Sequence, residues 1–591
     1  MIGTVAGYRL PVTGWRHIIT PCLFCPGDTV KDTRHALNWS ALLIALPAGV
    51  AGAMVTLGFR YTLEFFNQLV FGRSDDITRA MHVWPWFVWP LIVGTGGVIA
   101  GLFLRYAVSV EKTQSVKTDY LDVINARLDA VPTRTSLFRA FSSIASISSG
   151  ASVGKEGPMV QLSALCGSIL GRLVPAALQL KNTDLVAMAA AAGLASVYHA
   201  PLASAIFVAE VAFGISALQR LIPLVIAAGT SVMTMWLLGY RSPLYPLSDV
   251  QFVISFSSLG WVIALGVIGG LTGAGFITLA GLSKKQFARI RSLPWRLGVG
   301  GLLVGGLAII STDILGNGYD VILNIFRGQY LFSGLLLLLV LKLLATCCSI
   351  GSSAVGGMFT PSLLIGALLG ALFNVLAAQL GIGIESGWLY AAVGMGAVLA
   401  AISQAPLMAM LMVMEMTLNS SLLFPLMIAT VLATMVTYRL QSAATYPLIT
   451  THFSRAEAKF DFDNTSIDEL IIPGAAVLPG SAVSDALALS SLRRERYVYV
   501  INESGRFLGV VSVHDIAAGV LAQKITPDSP VSEVMDHEFP FVCQHQSLRQ
   551  GWEAFAQVTL ERLPVLTNET DRYFLGALTK TSLVRKAEAF L

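Results

Sequence analysis

The chain has 591 residues, of which 54% are apolar and only 13% charged, and its mean hydropathy is +0.69. This composition excludes an ordinary soluble globular protein and points to a membrane protein of at least two units. A net charge of +4 is too mild for a nucleic-acid binder, and the six cysteines form no disulfide or metal framework.

Residues 1–40 carry Arg9, Arg16, His17 and Arg34 but no apolar core ending in a small-residue cleavage site. They are expected to form an amphipathic tail along the membrane surface rather than a cleaved signal. Cys22 and Cys25 lie there as a lone pair, without the second pair or the histidines that a metal site needs. Apolar stretches then open at Ala41–Phe59 and Trp84–Leu104 and recur almost without relief from Leu137 to Tyr438. A span needs about 20 apolar residues. Gly and Pro interrupt many of these sooner, which predicts broken helices.

Within 41–452 the chain repeats itself. Val153-Gly154-Lys155-Glu156-Gly157-Pro158 precedes one apolar helix and Val355-Gly356-Gly357-Met358-Phe359-Thr360-Pro361 precedes another. Ala200-Pro201-Leu202 leads to Glu210 as Ala405-Pro406-Leu407 leads to Glu415. Pro158 and Pro361 are 203 residues apart, and Pro201 and Pro406 are 205 apart. Two elements in one order at nearly one offset imply homologous halves, about 41–240 and 250–450. Repeats in transporters are often inverted, which builds a binding site between them from discontinuous helices near the bilayer midplane, although spacing alone does not establish inversion.

Pro suits the first turn of a helix, and the flanking glycines let backbone approach backbone closely. The helix at Glu156 therefore starts inside the apolar zone, where its free N–H groups and partial positive charge make an anion site. The second half offers the same arrangement at 357–361. An ionised Glu156 is itself an anion able to occupy that site and to leave it when protonated or displaced. Glu156 is accordingly the candidate gate and a candidate proton carrier, the alternative being a first-turn acid that only stabilises its helix. Glu210 and Glu415, one per half, are expected to accept hydrogen bonds from neighbouring backbone, with Glu210 also a candidate for a proton path. Lys342, in an apolar run, either helps to hold the anion field or snorkels and pairs.

After Thr450 polar residues return. Beyond a linker at 453–465, residues 466–591 alternate strand and helix patterns and repeat with an offset of 67 residues, Gly509 to Asp515 against Gly576 to Ser582.

At these residues the chain resembles the CLC family of chloride channels and proton-coupled chloride antiporters. The string at 154–158 is similar to that family's G(K/R)EGP gating motif, 357–361 to its GxFxP motif, and both APL segments fall where the family has them. The tail resembles a tandem CBS pair. The resemblance implies an α-helical polytopic membrane protein of two inverted repeats of broken helices with a C-terminal α/β tandem CBS domain. It also implies a homodimer in a bacterial inner or plasma membrane, each subunit with its own path, and a cytoplasmic tail. It assigns Glu156 as the gate, with Gly157, Met358 and Phe359 around the anion and Tyr446 donating to it from the inner side. Chloride and protons would be the partners. The family's GSGIP segment is absent; the matching stretch runs from Gln114 to Tyr120, where Ser115, Lys117 or Thr118 would substitute for its serine. Val211 stands where the antiporters carry an inner proton glutamate, and an apolar residue relays no proton. In nucleotide-binding CBS modules an S/T-x-x-D contacts ribose, which Ser512 and Asp515 fit. No other cofactor and no metal are expected.

Two other classes fit less well. A CBS-regulated cation transporter predicts acidic clusters along the path, whereas the apolar zone holds isolated carboxylates. An intramembrane hydrolase needs a nucleophile, a base and an orienting group, and His199 beside Tyr198 has no such partner. Fluoride or another anion is the alternative substrate.

Overall fold

Proline, glycine and short apolar runs dictate interrupted helices, and these fill the larger unit. The computed structural model describes residues 39–72, 77–114, 119–125, 130–174, 180–213, 218–247, 256–380, 388–441, 466–493, 495–556, 558 and 560–583. The chain divides into two compact units, Met1–Thr445 and Tyr446–Leu591. The tail expected at 1–40 falls almost wholly outside the described residues, and the linker expected at 453–465 wholly so.

The first half of the membrane unit contains α1 (Trp39–Phe71), α2 (Trp89–Gln114), α3 (Thr133–Ser149), α4 (Glu156–Leu173), α5 (Asn182–Tyr198), α6 (Pro201–Val208) and α7 (Leu218–Leu237). The second contains α8 (Phe256–Phe287), α9 (Leu293–Ala308), α10 (Phe332–Gly351), α11 (Phe359–Gln379), α12 (Trp388–Ser403), α13 (Pro406–Thr417) and α14 (Leu423–Leu440). Each helix has its counterpart seven places on, and the halves pack alike: α4 against α5 as α11 against α12, and α1 against α7 as α8 against α14. Equivalent helices meet across the halves, α2 on α9 and α6 on α13. The two homologous halves expected from the recurring strings are thus present as structural repeats.

Seven helices among the described residues are long and apolar enough to cross a membrane; α6, α9, α12 and α13 are apolar but shorter. Large apolar side chains such as Phe65, Leu91, Trp236, Leu336 and Met435 are exposed on the outer helices. They suit a lipid surround, since water would not tolerate so broad an apolar belt. The α2–α9 contact depends on glycine. A Cβ on Gly97 would lie 2.4 Å from the Leu297 carbonyl oxygen, and one on Gly301 would lie 2.3 Å from that of Val93. Small residues let these two backbones touch, which replaces the hydrophobic driving force that lipid cannot supply.

The smaller unit contains two copies of one motif. Strands β1 (Ala476–Val477), β2 (Tyr497–Ile501) and β3 (Phe507–Ser512) form one sheet, with β1 parallel and β3 antiparallel to β2. Strands β4 (Val542–Cys543), β5 (Arg562–Leu566) and β6 (Phe574–Thr579) repeat it, down to the register shift near the end of the central strand. Helices α15 (Val483–Arg493), α16 (Val513–Leu521) and α17 (Leu548–Ala556) accompany the sheets. Phe507 N donates to Arg572 O and Phe574 N to Gly505 O, so equivalent residues meet about a local two-fold axis.

Candidate functional site

Helix α3 ends because Gly150 takes the left-handed conformation, with φ of 110°, and Ala151 N turns back to Ser146 O. The chain then runs extended to Gly154, held by Ser152 N donating to Ser349 Oγ of α10. Gly154 and Gly357 form an isolated antiparallel bridge. Helices α4 and α11 start immediately after it, at Glu156 and Phe359, each with a proline as its third residue. Two helix starts, each with unpaired N–H groups and partial positive charge, thus converge in the interior of the membrane unit.

Glu156 occupies the convergence. Only 2% of it is exposed. Its Oε1 accepts from Thr360 N at 3.1 Å and its Oε2 from Thr360 Oγ1 at 3.0 Å. The N–H groups of Phe359 and of Glu156 itself also donate to it. The carboxylate therefore caps the helix of the opposite half while beginning its own. Burying such a group in an apolar interior costs several kcal/mol unless donors surround it, and here they do. Gly154 and Gly357 make the room: a Cβ on either would lie within 2.3 Å of a Glu156 side-chain atom.

The other residues singled out from the sequence fall as follows. Gly157 follows Glu156 directly, and Met358 and Phe359 open α11; a Cβ on Gly157 would stand 3.0 Å from Gly357 N, and the Phe359 ring is held edge-on by Phe207 at 5.0 Å. Ser115, Lys117, Thr118 and Tyr446 lie outside the described residues. Lys155 Nζ lies 5.0 Å from the centre of the Tyr319 ring. Both line an open cavity of about 310 Å³ with Arg60, Glu64, Asn317 and Asp320. Lys342 does not snorkel; it is buried, and its Nζ donates to the carbonyls of Ile314 and Gly316 at 2.9 and 3.0 Å.

Glu210 and Glu415 cap helices reciprocally. Glu415 accepts from Leu202 N at 3.0 Å and Ala203 N at 2.8 Å at the start of α6. Glu210 accepts from Met408 N at 3.2 Å at the start of α13. Each carboxylate serves the other half, which is the backbone-accepting role read from their repetition. Glu210 lies on a π-helical segment, Ala209–Phe213, beside the buried Val211.

Two further residues, Thr360 and Tyr198, belong to the site. Thr360 lies inside a motif marked by its glycines and phenylalanine, and its signal in the sequence is a hydroxyl in the first turn of an apolar helix. Tyr198, whose hydroxyl lies 3.0 Å from Thr360 Oγ1, is 162 residues distant from it and carried no local signal. In the tail, Ser512 Oγ caps α16 by accepting from His514 N at 3.2 Å, and Asp515 is exposed in the same first turn.

The chain matches the family model for the voltage gated chloride channel over residues 96–438 and the CBS domain model over 473–522 and 531–589. A ClcB-like chloride channel protein of Ralstonia nicotianae is 39% identical over 374 residues, covering 62% of this chain and 86% of that protein. The voltage-gated ClC-type chloride channel ClcB of Citrobacter koseri is 32% identical over 377 residues, covering 62% and 88%. Among solved structures, a slow cyanobacterial Cl−/H+ antiporter superposes with a TM-score of 0.60 at 23% identity, covering 71% of this chain and 99% of that one. A eukaryotic CLC transporter gives 0.59 at 18%, covering 92% and 98%, and a CLC-type fluoride/proton antiporter 0.55 at 24%, covering 71% and 98%. At these identities the solved structures speak to the fold alone.

Proposed function

Because this chain belongs to the voltage gated chloride channel family, we propose that it carries chloride across a membrane through its larger unit, with Glu156 as the gate. The observation that carries the reading is the Glu156 carboxylate seated between the starts of α4 and α11, on the donors of Phe359 and Thr360. The backbone amides at these helix starts suit a chloride ion equally well, so ion and carboxylate compete for one place. When Glu156 swings out, chloride takes the amides of Gly157, Met358 and Phe359. No fixed full charge is required to hold the ion there, so it can leave again. Tyr446, with Ser115, Lys117 or Thr118, completes the inner side by resemblance to the family.

Val211 favours passive conduction, since the side chain that would pass protons inward is apolar and buried. Antiport is the second reading, favoured by Glu156 itself, a buried carboxylate that can take up a proton as it leaves. The chain works as a homodimer with one path per subunit in a bacterial inner membrane, its CBS tail in the cytoplasm. An adenine nucleotide binds that tail with its ribose at Ser512 and Asp515.

The deciding experiment reconstitutes the full chain in liposomes and records chloride flux together with internal pH. Brisk flux without proton movement, altered by Glu156→Gln, is the expected result. Uphill proton movement driven by a chloride gradient would replace conduction by antiport. Flux unchanged in Glu156→Gln would remove Glu156 as the gate, and preference for fluoride in the same assay would replace the substrate.

A further inference from the structure

The hydroxyls of Thr360 and Tyr198 form a ladder that ends on Glu156. Thr360 has one hydroxyl proton, and it points to Glu156 Oε2 across 3.0 Å. The contact between Tyr198 and Thr360, also 3.0 Å, must then be donated by the phenol. The order of the ladder is therefore Tyr198 O–H to Thr360 Oγ1, and Thr360 O–H to Glu156 Oε2. Both residues are completely buried. Tyr198 is the last residue of α5, and the chain reverses directly after it at His199, whose φ is 55°. That turn and the burial fix the ring, and the ring fixes the hydroxyl.

The ladder treats the two competing anions unequally. Backbone amides serve carboxylate and chloride alike. A carboxylate gives one oxygen to the Thr360 amide and the other to the hydroxyl, whereas a spherical ion seated on the amides has no second atom to offer the hydroxyl. Withdrawal of Glu156 also takes away the acceptor at the end of a buried hydrogen-bonded chain, and buried hydroxyls left unpaired are costly.

Building on the reading of Glu156 as the gate, we propose that Tyr198 and Thr360 are positioning residues that latch the closed carboxylate and so set the chloride concentration at which the ion displaces it. The residues act through Glu156 and need not touch the permeating ion.

The test measures initial chloride flux from liposomes bearing the full chain as chloride is varied. Thr360→Val should lower the half-saturating chloride about tenfold, the effect of one hydrogen bond to a charged group, and Tyr198→Phe about threefold. Thr360→Ser should restore the original value. In a Glu156→Ala background neither substitution should move it, because nothing is left to latch. Tyr198→Phe keeps the ring and deletes one oxygen atom, so it carries the test should Thr360→Val not fold. Unchanged half-saturation in both variants, while Glu156→Ala still alters flux, overturns the latch and leaves the gate standing. Equal shifts with and without Glu156 reduce the effect to packing and overturn it as well. No effect of Glu156→Ala would overturn the gate first, and the latch with it.

Discussion

Gly154 and Gly357 exchange both of their backbone hydrogen bonds, Gly154 N to Gly357 O at 2.8 Å and Gly357 N to Gly154 O at 2.7 Å. Equivalent residues of the two halves thus pair with each other, and the local two-fold axis of the membrane unit passes between them. The bridge sets the spacing of the two helix starts that follow. Because neither residue has a side chain, the Glu156 carboxylate fits between those starts and caps the opposite helix.

Gly357→Ala should therefore expel Glu156 from its seat. The added Cβ would fall 2.3 Å from Glu156 Cδ and 2.5 Å from its Cγ, and the bridge prevents the backbone from retreating. The variant should show the flux of Glu156→Ala, with unfolding stability lower by about 1–3 kcal/mol from overcrowding. Liposome flux and thermal unfolding in detergent check both parts. Wild-type flux from a folded Gly357→Ala protein would contradict the geometry.

Removing one reciprocal cap should destabilise the fold by about 1–3 kcal/mol, since the amides of α6 or α13 would lose their buried acceptor. Glu415→Ala should cost more than Glu210→Ala. Glu415 accepts at 3.0 and 2.8 Å from two amides, whereas Glu210 accepts from Met408 N at 3.2 Å and more loosely from Leu407 N. Calorimetry of the detergent-solubilised variants gives the order. Glu210→Gln, measured for flux and internal pH, separates a cap from a proton relay: a cap leaves proton movement unchanged.

What the sequence made legible here was whatever is written locally. Glu156, Gly157, Met358 and Phe359 sit in five-residue strings whose glycines and prolines announce a helix start, and an anion site follows from that start alone. The repetition of Glu210 and Glu415 pointed to a backbone-accepting role. It did not show that each carboxylate crosses to the other half, because that depends on how α6 packs on α13. Tyr198 was illegible for the same reason: a buried tyrosine among alanines reads as core until α5 is laid beside α11. Lys342 shows the limit of reading a charge from its flanks, since apolar neighbours suggest snorkelling, whereas the carbonyls that hold it come from the turn at 314–316.

The tail should loosen in acid where Asp468 meets His545. Asp468 Oδ1 accepts from His545 N at 3.0 Å, and Oδ2 lies 2.6 Å from His545 Nδ1. Burial pushes the Asp468 carboxyl up, but the hydrogen bonds from His545 and Ser466, with the charge of His545, outweigh it and hold the carboxyl below its usual range. A carboxyl depressed in the folded state contributes stability that is fully present above the unfolded value of about 3.9 and is lost as pH falls through the folded value. Hydrogen exchange in 466–471, where Ile467 N also donates to Gln546 O, should therefore stay slow near neutral pH. It should accelerate below about pH 4 relative to the rest of the tail. Asp468→Asn should exchange faster at pH 7 and lose this extra acid dependence, and a variant that keeps it would assign the effect to another group.

If the first CBS motif holds an adenine nucleotide, the ribose hydroxyls must reach the first turn of α16. Asp515 is exposed there and available as an acceptor. Ser512 Oγ already accepts from His514 N, but its own proton remains to be donated, so capping and ribose contact are compatible. The second motif ends in Ser582, whose Oγ donates to Thr579 O at 2.8 Å and whose position offers no carboxylate. One nucleotide per chain is therefore expected. Asp515→Ala should weaken ATP, ADP or AMP binding about tenfold or more, the worth of one or two hydrogen bonds to a charged group. Helix α16 should stay intact, because Ser512 and not Asp515 makes its cap. Isothermal titration of the solubilised full chain reads both the affinity and the number of sites. Binding that persists unchanged in Asp515→Ala would move the nucleotide elsewhere, and no binding in the unaltered chain would leave the tail as a structural module.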